Sequence, residues 1–382
     1  MQRAHVIRMY PTKEQEIQLK KTAGTARYAY NWALQRWKEM YALYKEDNTK
    51  EKPSALKLVR IWTKEKPEWA KEIAFCSQQH AIHNLGIAYS NFWRNIGKYP
   101  TFHKKGDKES FYIDNAKARW YGNRVNLPNI GRVKVAEQLR YSGKIISYTV
   151  STYAGEWYIS VNVETEEDMR PRCVAPNSTV GIDVGLQHPA VASDGTVLQL
   201  PTERLDKLEQ KIKRYQKALA RSKRNSKRSY KTLIKKQKTQ QKINNIRKDA
   251  VHKFTTTVSK NHGTIVIEDL DIQEMRAKAP AKAVRRAFNS SVMTLVRYQL
   301  SYKCQRLVKA NRYYASSKLC SKCGHKKEDL KITDRVYTCE ACGMSLDRDL
   351  NAALNLMHYE NSIRPGADSP VVLTEKTASS LR

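Results

Sequence analysis

No apolar run in this chain approaches the ~20 residues of a membrane-spanning helix, and its opening, MQRAHVIRMYPTKEQ, carries no apolar segment of the kind a secretory leader needs. Both absences point to a soluble, intracellular protein. Acidic residues are scarce: 37 Asp plus Glu stand against 70 Lys plus Arg, a formal net charge of +33. That imbalance exceeds anything solubility asks for and implies a polyanionic partner, for which nucleic acid is the default. Cysteine is also scarce. Three of the seven, Cys76, Cys173 and Cys304, stand alone in the sequence, as expected in a reducing compartment and without a catalytic thiol.

The other four are grouped. Cys320/Cys323 and Cys339/Cys342 form two CxxC pairs with fifteen residues between them, each pair followed directly by a glycine, Gly324 and Gly343. A CxxC places two thiolates on one tight turn, and the glycine supplies the backbone freedom that turn requires. Four soft ligands at this spacing describe a closed, tetrahedral zinc ribbon; neither simple burial nor a disulfide accounts for two CxxCG repeats. A closed four-cysteine site has no open coordination position. Its zinc is therefore structural, and any chemistry lies elsewhere.

With 382 residues the chain has room for two or three domains. RAHVIRMY (3–10) alternates apolar and polar side chains and reads as a strand ended by Pro11. Thr12 and Gln15 then make a capping-box pattern opening a helix through ARYAYNWALQRWKEMYALY. Its aromatics, Tyr28, Tyr30, Trp32, Trp37, Tyr41 and Tyr44, read as core, with base stacking open to any that are exposed. Further helices are expected over 54–64 and 72–96, so 12–96 forms a helical bundle inserted after a first strand (1–11). Short alternating segments from PTFHKKG through ISYTVSTYAGEWYISVNVE fill 97–170 and read as a β-barrel-like region that reclaims that strand. His103, Lys104 and Lys105 on its loops are either a phosphate contact or a solvated charge run. Residues 164–177, polar and bearing Pro171 and Pro176, form the best linker.

Beyond it, two apolar runs flank Ser193-Asp194-Gly195 and predict a hairpin. Asp183 sits inside the first run, where a carboxylate is costly unless paired or metal-bound. Residues 203–250 hold eighteen Lys or Arg and four acids and read as two antiparallel helices turning at 222–226. Their one-signed charge favours a nucleic-acid contact, with Arg221, Lys223, Arg224, Lys227 and Arg228 at the turn as candidates. In GTIVIEDL a buried strand ends at Glu268, and carboxylates at strand ends of α/β sheets lie where ligands bind. An amphipathic helix is expected over 284–310, then a strand over 312–315, the ribbon over 319–344, and a last helix opened by Asp349. The tail, 361–382, has no apolar period and reads as disordered.

Asp183, Glu268 and Asp349 thus occupy a first strand, a later strand end and the start of the final helix. Phosphodiester cleavage by two divalent metals needs carboxylates that hold both ions, ~3.5–4 Å apart, and hard oxygen ligands suit magnesium or manganese. Strand, hairpin, helix, strand, helix with one acid on each of three elements is an RNase H-like layout. At this point GIDVGLQHPAVASDG, IVIEDL, CSKCG, CEACG and DRDLNAALN, together with YPTKEQ, RYAYNWAL, PTFHKKG and LPNIGRVKV, resemble the TnpB family of transposon-encoded nucleases, which are similar to type V CRISPR effectors. The resemblance spans nearly the whole chain. It implies an RNA-guided endonuclease for double-stranded DNA: a recognition bundle in a wedge-type β-barrel, then an RNase H-like (RuvC) nuclease domain (171–318 and 345–360) interrupted by the zinc ribbon. It further implies magnesium at Asp183, Glu268 and Asp349, with manganese able to substitute, and zinc at Cys320, Cys323, Cys339 and Cys342. Asp347 is the rival for the third acid, and the family pattern favours Asp349. The implied partners are a guide RNA from the transposon end and a target DNA read beside a short adjacent motif. The implied setting is the cytoplasm of a bacterial or archaeal cell, on the nucleoid when bound to DNA. Two other readings are a guided DNA-binding regulator without cleavage and a zinc-ribbon transposition accessory that needs no RNA.

Overall fold

In the computed structural model, which describes residues 2–106, 109–168, 170–223, 226–331, 334–359 and 371–372, the alternation at the start becomes strand β1 (Gln2–Tyr10). It buries His5, Ile7 and Met9 and exposes Val6. Helix α1 (Lys13–Glu46) opens on the expected box: the Thr12 hydroxyl accepts from Gln15 N at 3.3 Å, and the Gln15 amide oxygen accepts from Thr12 N at 3.1 Å. Helices α2 (Ala55–Glu65), α3 (Glu68–Lys71) and α4 (Phe75–Trp93) follow. They close a core on α1 around Ala33, Leu34, Trp37, Leu58, Trp62, Leu85 and Tyr89. Tyr30 and Trp37 are buried there, whereas Tyr28 and Tyr41 remain exposed.

Strands β2 (Ser110–Asp114), β3 (Arg119–Tyr121), β4 (Arg124–Leu127), β5 (Gly131–Val135), β6 (Lys144–Tyr153) and β7 (Glu156–Glu164) complete an antiparallel seven-stranded sheet ordered β2-β6-β7-β1-β5-β4-β3. The first strand lies in its middle. It pairs with β7 from Gln2↔Glu164 to Met9↔Trp157 and with β5 at Met9↔Val135. These elements make one compact unit, Met1–Glu167, and the chain divides inside the segment read as linker.

The second unit, Asp168–Arg382, is α/β. Strands β8 (Thr179–Asp183) and β9 (Val191–Ala192) are antiparallel, and a bridge from Val191 to Val197 continues the hairpin through Ser193-Asp194-Gly195. Helices α5 (Thr202–Arg221) and α6 (Lys227–Asn261) pack against each other through Leu205, Leu208, Ile212 and Ile243. Strand β10 (Thr264–Glu268), helices α7 (Ile272–Lys278), α8 (Lys282–Ser290) and α9 (Met293–Lys303), and strand β11 (Arg306–Ala310) come next. A small hairpin, β12 (Val336–Thr338) with β13 (Ser345–Asp347), precedes helix α10 (Arg348–Met357). Val371–Val372 (β14) pairs with β11; the rest of the tail expected to be disordered lies outside the described residues. The sheet order is β14-β11-β10-β8-β9, with β8, β10 and β11 parallel.

Its parallel strands are buried on both faces, the usual condition of such strands. Val180, Ile182, Ile265, Ile267 and Leu307 face α6 and α9, which bring Val251, Val258, Val296 and Leu300. Val266, Val308 and Ala310 face the other way, toward Leu356 of α10 and Tyr359. Gly181 permits that second layer: a Cβ there would stand 2.0 Å from the Ala353 carbonyl oxygen of α10. The structure corrects the reading of 284–310 as one helix and of 312–315 as a strand. The helical run breaks after Ser290, and the strand is RLVKA, which pairs in register with β10. Leu307 fits a helical period in sequence, but a short apolar run serves a buried strand equally well, and the vacant side of β10 selects the strand.

Candidate active site and metal centre

Parity on the strands decides where the acids point. Asp183 lies two residues beyond Gly181 and Glu268 two beyond Val266, so both carboxylates project from the face covered by α10. They are also adjacent, because β8 and β10 are parallel with Ile182 opposite Ile267, and the next rung carries the acids at the carboxyl edge of the sheet. Asp349 enters from the first turn of α10.

The electrostatics express this convergence. Burial pushes the Asp183 carboxyl up to about 8, and the charges of Glu268 and Asp349 push it the same way, against the pull of Arg348. Burial also raises Glu268, opposed by a hydrogen bond from the Ser316 hydroxyl to its Oε1. Asp349 is raised by burial and then by Asp347, while His188, Arg335 and Arg348 draw it down. Burial, and at Asp183 and Asp349 the neighbouring carboxylates, hold the acids above the ordinary range, and their hard oxygens are the kind of donor that suits a divalent cation.

The rival acid has another task. Asp347 is the N-cap of α10, its Oδ1 accepting from Asp349 N and Leu350 N at 3.0 Å each, so the helix begins at Arg348 and is not opened by Asp349.

The four cysteines come together as their spacing predicts. Their sulfurs all lie within 4.8 Å of one another, with Cys320 and Cys342 at 3.7 Å and Cys323 and Cys339 at 3.6 Å. A tetrahedron of thiolates at the ~2.3 Å zinc–sulfur distance has edges of about 3.8 Å, so zinc fits this cage; a disulfide, at about 2.05 Å, does not. Among the described residues no other group of three or more ligands meets that spacing, so the acids are less tightly drawn together than the thiols. Gly324 (φ +74°) and Gly343 (φ +68°) turn the two knuckles. Tyr337, fully buried, sets its hydroxyl 3.2 Å from the Lys318 and His325 carbonyl oxygens and ties one knuckle to the other.

Three residues to which the sequence assigned no structural role join this cage to the acids. Asn351 of α10 donates to Leu319 O at 2.7 Å and accepts from Ser321 N at 3.0 Å. Asn355, one turn on, donates to Ser316 O and Leu319 O at 2.7 Å each. Ser316, held in this way, reaches Glu268. Two asparagines spaced i, i+4 inside an alanine-rich helix were the available signal, since asparagine there is tolerated chiefly when its amide is used.

The nucleic-acid candidates are spread over both units. Lys104 and Lys105 are exposed, but the His103 ring stacks on Tyr30 at 4.0 Å and its backbone is held by Asn31. Arg221, Lys223, Lys227 and Arg228 are exposed around the α5–α6 turn, and Arg224 lies outside the described residues.

Comparison with known proteins agrees with this layout. Residues 158–279 match a family profile described as "Probable transposase", residues 291–356 one described as "Cas12f1-like, TNB domain", and residues 1–46 one described as "Helix-turn-helix domain". Across 98% of its length the chain is 30% identical to 99% of an Escherichia coli (strain K12) protein named "Putative RNA-guided DNA endonuclease InsQ". The chain belongs to the TnpB family. A relative from Streptomyces pristinaespiralis with the same descriptive name is 29% identical over 94% of this chain and 89% of its own length. One from Mycobacterium tuberculosis (strain ATCC 25618 / H37Rv), again so named, is 29% identical over 94% of this chain and 86% of its own. In this TnpB-family chain, residues 2–46 hold β1 and one long helix, α1.

Proposed function

We propose that this protein is a transposon-encoded, RNA-guided DNA endonuclease that hydrolyses phosphodiester bonds of double-stranded DNA beside a short adjacent motif. The observation that carries this reading is the convergence of Asp183, Glu268 and Asp349 on the α10 face of the sheet's carboxyl edge, with each carboxyl raised above its ordinary range. In this reading the second unit is an RNase H-like (RuvC) nuclease domain interrupted by the ribbon. The seven-stranded sheet is a wedge-type barrel, and α1–α4 are the recognition bundle inserted into it.

Asp183, Glu268 and Asp349 would hold magnesium, or manganese in its place, which when bound supplies Lewis-acid activation of water and neutralises charge on the cleaved phosphate. The chain's own residues prepare that site. Ser316 occupies one oxygen of Glu268 and orients the other, Arg348 limits the repulsion felt at Asp183, and Asp347 fixes the turn that presents Asp349. The zinc ribbon takes no part in the chemistry and holds the loop bearing Ser316. The guide RNA, drawn from the transposon end, reads the target by pairing, and the +33 charge holds RNA and heteroduplex by their backbones. Such a protein works in the cytoplasm, on the nucleoid when bound to DNA; no helix among the described residues is long and apolar enough to cross a membrane.

The test is cleavage of a plasmid library by the protein expressed with its native flanking DNA, in magnesium, beside Asp183→Ala. Guide-matched cuts next to a shared motif, at least 100-fold reduced in the variant with RNA retained, are expected. Equal cutting by both would remove the acids from the chemistry. RNA-dependent retention of targets without cuts would make the protein a guided regulator, and DNA affinity that survives ribonuclease would make it an RNA-independent accessory.

A further inference from the structure

Two tyrosines adjacent in sequence, Tyr313 and Tyr314, follow β11 and take opposite courses. Tyr314 turns inward: its ring meets Tyr359 edge-on at 4.9 Å and its hydroxyl donates to Asn355 O at 3.1 Å. Tyr313 turns outward and is 89% exposed, the largest value among the exposed large hydrophobic side chains of the described residues. Leaving an aromatic ring in water forgoes the stabilisation that its burial would bring. This ring is also not on a slack loop. Asn311 Oδ1 accepts from Tyr313 N at 2.9 Å, Asn311 N donates to the Tyr359 hydroxyl at 2.9 Å, and Tyr314 N closes back on Asn311 O at 3.0 Å. Three residues on, the Ser316 hydroxyl grips Glu268.

The position of the ring gives this rigidity a use. Because β11 runs parallel to β10 with Ala310 opposite Glu268, the loop leaves the sheet at the same carboxyl edge as the acids. Arg312, beside Tyr313 in sequence, pairs with Glu274 at 3.0 Å and Asp271 at 3.7 Å on the neighbouring α7. Lys278 of the same helix pairs with that same Glu274 at 2.7 Å. A solvent-facing aromatic ring on a hydrogen-bonded loop, with basic side chains on the loop and on α7, at the carboxyl edge that bears the acids, suits an unpaired nucleobase with its flanking phosphates.

We propose that Tyr313 is a stacking platform for a nucleobase of the single strand that enters the acidic site, with Lys278 and Arg312 beside its phosphates. Tyr313 is a positioning residue that sets the strand's register against the acids and touches no reacting atom. The proposal rests on the nuclease reading for its purpose but not for its measurement.

The measurement uses the full chain carrying Asp183→Ala, in magnesium, with an eight-nucleotide pyrimidine DNA bearing one central 2-aminopurine. Stacking on an aromatic ring quenches that base, and binding elsewhere by basic residues is common to all variants, so the difference between variants isolates the ring. With Tyr313 or Tyr313→Phe the bound strand is quenched; with Tyr313→Leu, which keeps bulk without a π-face, and Tyr313→Ala the quench is lost. Affinity at fixed salt falls roughly 5- to 100-fold, the range of one stacked base. Equal quenching in all four proteins overturns the proposal, as does loss in Tyr313→Phe, which would assign the effect to the hydroxyl. In the Asp183-intact protein, Tyr313→Ala is expected to cut a guided target about 10-fold more slowly with unchanged guide RNA affinity. If the intact protein cuts nothing while the quench follows the ring, the nuclease reading fails and the platform stands.

Discussion

At the scale of single residues, the site separates two aspartates that lie two positions apart. Asp347 spends its carboxylate on backbone N–H groups and Asp349 carries a raised pKa beside the other acids. Asp347→Ala therefore should lower stability by about 1 kcal/mol, the usual cost of losing an N-cap, and leave cleavage within several-fold, whereas Asp349→Ala should abolish it. Thermal melts and cleavage rates of the two variants check this. Asp183 makes a second prediction, through its displaced titration. Its carboxyl ionises near 3.8 in the unfolded chain and about 8 in the fold, so between those values the unfolded state releases a proton that the folded state keeps. Stability is unaffected by this group below about pH 4, falls as pH rises through the window, and is fully reduced above about 8. Without added magnesium, Asp183→Asn should melt higher than the parent by a margin that grows from pH 5 to pH 8 and shrinks when magnesium is added; a pH-independent margin would contradict it. Asp183 was legible in the sequence because a carboxylate in an apolar run is costly. Asp349 could be chosen over Asp347 only by resemblance, since capping is a matter of backbone geometry. Ser316 and Tyr313 were not legible, because a loop's side chains show their direction only once both of its ends are pinned.

Among the elements, α10 has the most duties. It covers the strand face that bears the acids, supplies Asp349, and through Asn351 and Asn355 grips the chain where it enters the first zinc knuckle. Loss of zinc should consequently be felt at Glu268, although the cage contains no catalytic group. Cys339→Ser, or stripping zinc with a chelator followed by magnesium restoration, is expected to lower the melting temperature of the second unit and cut activity by at least 10-fold. Retained zinc stoichiometry or a fully active, zinc-free protein would break the link. The ribbon was legible because CxxCG repeats act locally, each on its own turn. The reading of α8, α9 and β11 as one helix failed for the opposite reason. RLVKA becomes a strand only because β10, some forty residues earlier, offers a free edge, and no local period contains that fact.

On the scale of the whole molecule, the charge of +33 must be spread over surfaces that hold polyanions. The α5–α6 hairpin offers the densest stretch, and its turn carries Arg221, Lys223, Lys227 and Arg228 in exposed positions. Replacing all four by glutamine should weaken RNA binding at physiological salt and flatten its dependence on salt, by about three in the log–log slope if each holds one phosphate of a single strand. An unchanged slope would place the RNA elsewhere. The two-helix hairpin was readable from its charge and its apolar stripe, but the return of β1 to the centre of its sheet depends on partners more than a hundred residues away. That return also has a consequence during synthesis. This strand leaves the ribosome well before β7, which closes at Glu164, and at ~5–20 residues per second its partner is delayed by on the order of ten seconds or more. Through that interval a nascent chain carries an unpaired strand with Ile7 and Met9 uncovered, while α1, capped by its own Thr12 and Gln15, can form at once. The nascent chain therefore offers a chaperone an open β-edge just ahead of a finished helix, and the sheet closes only when translation has delivered its last strand.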